Sequence, residues 1–184
     1  MLNLQLQQCL CAFAGSHSGK ESIYREDAYA LGLAIAKKRI TLVYGGSNKG
    51  LMGAIADAVL AEGGEVIGVA PRRTAPNMAI HERLTHLMEI ETLQERKAIM
   101  KQLAHAFVVL PGGLGTFDEL FEVMVESYLR LHTKPIGLLN TADYFSPVIR
   151  LLEHMTDEEF TSPHRAVHLH FHTNPFELVE QLFP

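Results

Sequence analysis

The chain has 184 residues, of which 47% are hydrophobic, and a formal net charge of −5. This length favours one domain with a sizeable core, and the negative charge argues against a nucleic-acid-binding surface. No apolar run reaches the length of a membrane span, so we expect no membrane segment. We expect Cys9 and Cys11, the two cysteines, to face opposite sides of the first strand and to form no disulfide with each other. Such a cysteine content favours a cytoplasmic protein.

Short apolar runs alternate along the chain with segments in which apolar residues recur at helical spacing. The predicted strands are residues 8–14, 40–44, 65–70, 87–91, 106–110, 134–139 and 166–171. The predicted helices are residues 21–38, 51–61, 92–103, 117–131, 143–155 and 175–182, and residues 71–82 are predicted to form a loop and a short helix. Strands that alternate with helices form parallel βαβ units. We therefore predict a single α/β domain over residues 1–184, with a Rossmann-like open parallel sheet and helices on both faces.

Residues 110–119, with the sequence LPGGLGTFDE, link a predicted buried strand to a predicted helix. Three glycines leave backbone N–H groups bare, and the helix directs the positive end of its dipole to the same place. This combination is typical of a site for an oxyanion, most often a phosphate. The run lacks the lysine of a P-loop, and Asp118 stands where a dinucleotide-binding motif has its last glycine. The residues alone leave two interpretations open, an anion site and a tight turn.

Glu119 also has two interpretations. Together with Thr116 it has the pattern of a capping box, in which the two residues satisfy each other's backbone donors. As a carboxylate beside a phosphate site, it is a candidate catalytic group, and we expect the helix N-terminus to keep it ionised at neutral pH. The same capping pattern at Thr92 and Glu95 predicts the start of the preceding helix.

Arg96 interrupts an apolar stripe on that preceding helix, which also carries Leu93 and Met100. Because an arginine is rarely buried without a partner, it is either a structural residue or a ligand for a phosphate or carboxylate group. A structural arginine would extend its charged end to solvent or form an ion pair.

Residues 45–50, with the sequence GGSNKG, follow a predicted strand and open a helix. They could hold part of a nucleotide, or they could be a tight connection with glycines for steric reasons. We expect the side chain of Ser47 to be tolerated there if its φ is negative.

Alternating histidines near the C-terminus, His168, His170 and His172, share one face of a predicted strand. Such a trio could bind a transition metal, but no carboxylate or cysteine lies at ligand spacing nearby. We therefore interpret this segment as an exposed or subunit-facing edge strand with no metal. We likewise find no burial or charge argument for a Schiff-base lysine among Lys20, Lys49 and Lys97.

Several motifs together resemble the LONELY GUY family of cytokinin riboside 5′-monophosphate phosphoribohydrolases, members of which were often labelled lysine decarboxylases. The resemblance covers nearly the whole chain. Its motifs are Gly15-Ser16, Tyr44-Gly45-Gly46, Gly50-Leu51-Met52-Gly53, Glu95-Arg96-Lys97, the run PGGLGTFDE at 111–119 and the run KPIGLLN at 134–140.

The resemblance implies hydrolysis of the N-glycosidic bond of a nucleoside 5′-monophosphate, either cytokinin riboside 5′-monophosphate or AMP, to free base and ribose 5-phosphate. It makes Arg96 and Glu119 the catalytic residues, and it requires no metal or organic cofactor. It also implies a homodimer, or a higher oligomer, with the site near the subunit interface and Arg72 or Arg73 contributing. The residues expected to bind the substrate or its phosphate are Gly15, Ser16, Gly45, Gly46, Lys97, Gly112, Gly113, Leu114, Gly115, Thr116 and Asp118.

Three positions depart from the family pattern. Gln94 replaces a histidine, and Met124 takes the place of a threonine. The family's glutamate falls near Asn77-Met78-Ala79, none of which is acidic. These positions concern recognition of the base or sugar more than bond cleavage. Two alternatives therefore remain open, a nucleosidase for other purine or pyrimidine monophosphates and a non-catalytic nucleotide-binding or signalling protein on the same fold.

Overall fold

A computed structural model describes residues 8–71, 79–162 and 167–184. These residues form seven strands: β1 (Cys9–Phe13), β2 (Thr41–Tyr44), β3 (Val66–Pro71), β4 (His86–Ile90), β5 (Ala106–Val109), β6 (Ile136–Leu139) and β7 (Leu169–His172). They also form six α-helices: α1 (Ser22–Lys37), α2 (Gly50–Ala61), α3 (Leu93–Leu103), α4 (Leu114–Tyr128), α5 (Ser146–Asp157) and α6 (Pro175–Leu182). No described helix has the length and apolar character needed to cross a membrane.

The seven strands make one parallel sheet in the order β4-β3-β2-β1-β5-β6-β7. At its centre, Leu10 of β1 lies opposite Leu42 of β2 on one side and Ala106 of β5 on the other. The predicted α/β class and the open parallel sheet are confirmed. Such a sheet needs cover on both faces, which explains why its central strands are apolar throughout.

Two apolar layers cover the two faces of the sheet. One contains buried residues of α1, α2 and α6, and the other contains buried residues of α3 and α4 together with Phe145 before α5. Leu10 and Ala12 point into the first layer, whereas Cys9 and Cys11 point into the second. The expectation that the cysteines face opposite sides was wrong, because residues two apart on a strand share a face. Both cysteines are buried, and they form no disulfide with each other.

The sheet has a topological switch point between β1 and β5. From β1 the chain passes through α1 to β2 on one side, while β5 pairs with the other edge of β1. The loops that leave these two neighbouring strands therefore diverge and open a crevice beyond their carboxyl ends. Open α/β sheets bind ligands at such a place.

The connections that follow β4 and β6 show one predicted feature and one difference from the predicted elements. Thr92 and Glu95 form the predicted capping box, with the side chain of each accepting the backbone N–H of the other. A short 3₁₀ turn, Thr141–Asp143, precedes α5 where a helix from residue 143 was predicted. Of the predicted loop and helix at 71–82, residues 72–78, with Arg72, Arg73 and Met78, lie outside the described residues.

Candidate active site

A cavity of about 490 Å³ lies at the switch point between β1 and β5. The loop after β1 forms one wall, the turn before α4 forms another, and Arg96 of α3 reaches in from the sheet side. Among the predicted site residues, those that line the cavity are Gly15, Ser16, Arg96, Gly112, Gly113, Leu114, Gly115, Thr116 and Glu119. This volume is within the range of small-molecule sites.

The wall before α4 presents a row of backbone donors. The backbone N–H groups of residues 112–116 make no hydrogen bond to another residue of the described chain. Gly113 is the N-cap of α4, and no side chain caps this helix end. Unpaired amides at the positive end of a helix dipole are the arrangement that binds phosphate in many proteins.

The two cavity loops approach so closely that a side chain is excluded at position 112. A Cβ atom on Gly112 would lie 2.1 Å from the hydroxyl oxygen of Thr116 and 2.9 Å from the backbone nitrogen of Gly15. The N–H of Gly15 donates to the carbonyl oxygen of Pro111 at 3.1 Å. Glycine at position 112 is therefore required by contact with Thr116 and with the opposite loop.

The capping-box interpretation of Glu119 was wrong. The helix begins three residues earlier than that pattern requires, so Thr116 lies inside α4 and is buried. Because a glycine serves as N-cap, neither Thr116 nor Glu119 satisfies the first donors of the helix. Glu119 is the sixth residue of α4, and its carboxylate is directed at the cavity floor.

Arg96 is fixed from three sides. Its Nε donates to the carbonyl oxygen of Val69 at 3.1 Å, and its Nη1 lies 3.7 Å from Oε1 of Glu119. Its Nη2 is 1.8 Å from the position that a Cβ atom on Gly45 would take, so a side chain at position 45 would clash with the guanidinium. The side chains of Arg96 and Glu119 are only 16% and 12% exposed, so the pair is largely removed from water.

Burial raises the pKa of the Glu119 carboxyl group from 4.5 to about 7, although nearby Arg96 acts in the opposite direction. The expectation that the helix N-terminus keeps this group fully ionised at neutral pH was therefore wrong. The effect of a helix dipole fades within the first turn, and Glu119 lies beyond it. Desolvation is the larger effect, because the carboxylate has little contact with water and no short hydrogen bond.

Lys97 and Asp118, both predicted to bind substrate, lie outside the cavity lining. The ammonium of Lys97 is 2.9 Å from Asp118 and also pairs with Glu122, while Lys101 pairs with Glu122 and Glu126. This row of ion pairs connects α3 to α4 directly beside Arg96 and Glu119. Hydrogen bonds that the Lys97 ammonium donates to Glu122 and Asp118 raise the pKa of Lys97, which is opposite to what a nucleophilic lysine needs.

Gly45 and Gly46 also lie outside the cavity lining, but Gly45 makes the room that the Arg96 guanidinium occupies. Gly46 has a φ of 80°, whereas Ser47 does not have a positive φ, as its side chain requires. Ser47 is buried, and its hydroxyl accepts the backbone N–H of Lys49 at 3.1 Å.

Several cavity residues were not predicted as site residues from the sequence, among them His17, Tyr24 and Tyr144. Tyr24 has the helical spacing of a core residue of α1, so its pattern gave no sign of a site. Tyr144 follows β6 at the same edge of the sheet as the glycine turn, and that position was the available signal. His17 lies in the exposed loop after β1, where its ring nitrogen is 3.3 Å from the hydroxyl of Ser16.

The three alternating histidines do not converge. His172 lies 2.9 Å from Glu177 and accepts the backbone N–H of Asn174, while His168 precedes β7 and is exposed. Within residues 8–71, 79–162 and 167–184, no group of three or more His, Cys, Asp or Glu side chains could hold a metal ion.

Comparison with known proteins relates most of this chain to one family. A family model described as "possible lysine decarboxylase" matches residues 52–182. A cytokinin riboside 5′-monophosphate phosphoribohydrolase of Rhodococcoides fascians is 44% identical over 152 residues, which are 82% of this chain and 77% of that protein. The Arabidopsis thaliana enzyme of the same name, LOG7, is 40% identical over 173 residues, or 94% of this chain and 80% of the relative.

A solved structure shares the fold at much lower identity. The molybdenum cofactor binding protein from Rippkaea orientalis has a TM-score of 0.70 at 19% identity. The match covers 97% of this chain and 98% of that protein. This likeness concerns the fold alone.

Proposed function

Because the chain belongs to the LONELY GUY family of cytokinin riboside 5′-monophosphate phosphoribohydrolases, we propose that it hydrolyses the N-glycosidic bond of nucleoside 5′-monophosphates. The products are the free base and ribose 5-phosphate. The substrate is cytokinin riboside 5′-monophosphate, AMP or both. The observation that carries the proposal is the largely buried pair of Arg96 and Glu119, which lines a cavity with unpaired amides in its wall.

The amides of residues 112–116 bind the 5′-phosphate in this proposal. Five N–H groups with no acceptor among the described residues, at the N-terminus of a 15-residue helix, suit a dianion. Glu119 lies one helical turn after Thr116, about 5 Å further along the helix axis. The ribose of a bound monophosphate would then lie beside the carboxylate.

Glu119 acts on the ribose. Cleavage of an N-glycosidic bond builds positive charge on the sugar, as in glycoside hydrolysis, and a carboxylate can stabilise that charge. It can also take a proton from the water that attacks C1′, while the electrons of the breaking bond leave with the base. The proton then passes to the departing base, so Glu119 returns to its ionised form.

A pKa of about 7 suits this proton transfer, because the Glu119 carboxyl group can both accept and return a proton near neutral pH. The ionised form is the one that starts the reaction. Turnover therefore increases as the pH rises through about 7 and levels off above it. Arg96 favours the ionised form, and its guanidinium orients the substrate or assists departure of the base.

A lysine-dependent decarboxylation has less support than hydrolysis. Lys97, beside Arg96, is held by two carboxylates and has a raised pKa. A non-catalytic nucleotide-binding protein remains the second candidate. Such a protein gains nothing from a buried carboxylate of raised pKa beside the ligand, and this group favours an enzyme.

Release of base from AMP, but not from adenosine, is the first expected result. The two compounds differ only in the phosphate, which the amides of 112–116 are proposed to hold. A panel of 5′-monophosphates, including cytokinin and pyrimidine ribosides, should be incubated with the protein and the products separated by chromatography. Equal cleavage of adenosine would rule out the phosphate as the anchor, and binding of AMP without release of base would favour the non-catalytic alternative.

Glu119→Gln is expected to lower turnover of the preferred monophosphate by roughly 10²–10⁴ while AMP still binds. An amide cannot take a proton or balance positive charge on the ribose. Glu126→Gln is the matched control, because it neutralises a carboxylate of the same helix that pairs with Lys101 away from the cavity. Turnover of Glu119→Gln equal to that of the control would remove Glu119 from the chemistry.

The proposal includes a homodimer located in the cytoplasm. The two buried cysteines form no disulfide with each other, which is compatible with a reducing compartment. An apolar cleft of about 420 Å³ runs between α4 and α5, with Phe121 and Val125 on one side and Leu152 and Phe160 on the other. Val125 and Phe160 are 53% and 84% exposed, and an apolar surface of this kind is typical of a subunit interface.

Phe160→Asp is expected to convert the dimer into a monomer, because it introduces a charge into the apolar cleft. Phe176→Asp is the control, since Phe176 is also exposed but lies on α6 at another surface. Sedimentation equilibrium of the purified variants measures the mass of each. If both variants remained dimeric, the subunit interface would lie at a surface other than the apolar cleft.

A further inference from the structure

The turn between β6 and α5 has an unusual backbone. Ala142 and Asp143 are consecutive non-glycine residues in the left-handed region, with φ values of 50° and 58°. Side chains disfavour this conformation, so it persists only where the surroundings hold it. Two such residues in a row, on the same sheet edge as the glycine turn, suggest that the turn carries a residue to a required position.

Several hydrogen bonds hold the turn in place. The side-chain oxygen of Asn140 accepts the backbone N–H of Phe145 at 2.7 Å, which closes the turn on itself. The hydroxyl of Thr141 donates to Asp27 of α1 at 2.6 Å. The turn is thereby tied to the helix that carries Tyr24, another residue of the cavity wall.

The turn places Tyr144 in the cavity wall. Its ring stacks on Phe117 of α4 at a centroid distance of 6.4 Å and meets the ring of Tyr24 edge-on at 6.0 Å. Its hydroxyl donates a hydrogen bond to the carbonyl oxygen of Gly112, in the glycine turn. Tyr144 therefore contacts the helix and the turn that together form the phosphate wall.

The hydrogen bond to Gly112 also fixes a donor. The carbonyl oxygen of Gly112 and the N–H of Gly113 belong to one planar trans peptide unit, in which they point in opposite directions. Because the Tyr144 hydroxyl holds the carbonyl oxygen of Gly112 on its own side, the N–H of Gly113 points away from Tyr144. Because both residues are glycines, little else in the local backbone prevents this peptide from rotating.

We propose that Tyr144 is a positioning residue for the anion site: its hydroxyl fixes the Gly112–Gly113 peptide so that the Gly113 N–H is available to the 5′-phosphate. This inference rests on the proposed function, since it assigns the phosphate of the substrate to that turn. A tyrosine that serves only as packing would be replaced by phenylalanine without effect, because the ring contacts with Phe117 and Tyr24 remain.

Tyr144→Phe removes the hydroxyl and keeps the ring. Tyr29→Phe is the matched control, because Tyr29 is exposed on α1 and lies outside the cavity. Calorimetric titration with ribose 5-phosphate should give a Kd at least about fivefold higher for Tyr144→Phe than for the wild type and the control. Titration with adenosine, which has no phosphate, should give the same Kd for all three proteins.

Equal ribose 5-phosphate affinity in Tyr144→Phe and the control would overturn the proposal. Equal weakening of ribose 5-phosphate and adenosine would also overturn it, because it would indicate a general loosening of the cavity. Crystal structures of the wild type and Tyr144→Phe give the peptide orientation independently of any ligand. A Gly112–Gly113 peptide that rotates or takes two orientations supports the proposal, and an unchanged peptide overturns it, even if the wild type cleaves no monophosphate.

Discussion

The largely buried contact between Arg96 and Glu119 is the interaction on which the rest of the site depends. Removing two charges from water is costly, and at 3.7 Å the pair has no short hydrogen bond to offset the loss. The fold supplies the compensation elsewhere. Val69 accepts from the guanidinium, Gly45 leaves space for it, and the ion pairs of Lys97 hold α3 against α4. Part of the cost of removing the charges from water remains, and it raises the pKa of Glu119.

The same site resolves an electrostatic difficulty. A chain with a net charge of −5 repels anions at long range, yet the proposed substrate carries a phosphate dianion. Attraction must therefore come from groups close to the ligand. The amides of residues 112–116 and the α4 dipole provide partial positive charge, and they act over short distances. Among the described residues that line the cavity, Arg96 is the only Lys or Arg, and it is paired with Glu119.

Much of this structure could be predicted from the sequence. Periodicity indicated the alternation of strands and helices, and the glycine run and Arg96 marked the two sides of the cavity. The predictions that were wrong failed for physical reasons. Thr116 and Glu119 have the spacing of a capping box, but the pattern does not reveal that Gly113 already begins the helix. The dipole argument for Glu119 failed because burial depends on residues distant in sequence.

Long-range contacts explain the remaining differences. Lys97 stands in a binding motif, but its carboxylate partners are on another helix, 21 and 25 residues away in the chain. Tyr144 became visible as part of the site only when the turn after β6 was seen beside Gly112, 32 residues earlier. Local spacing predicts which segments meet at the sheet edge, but not which side chains touch there.

The pKa of Glu119 tests this account most directly. In protein labelled with ¹³C at the glutamate side-chain carboxyl carbons, the resonance that disappears in Glu119→Gln belongs to Glu119. The account predicts that this resonance titrates with a midpoint at about 7 in the free protein, because burial opposes ionisation more strongly than Arg96 favours it. A midpoint at the ordinary value of 4.5 would contradict it, since the carboxylate would then be a solvated group with no special proton affinity.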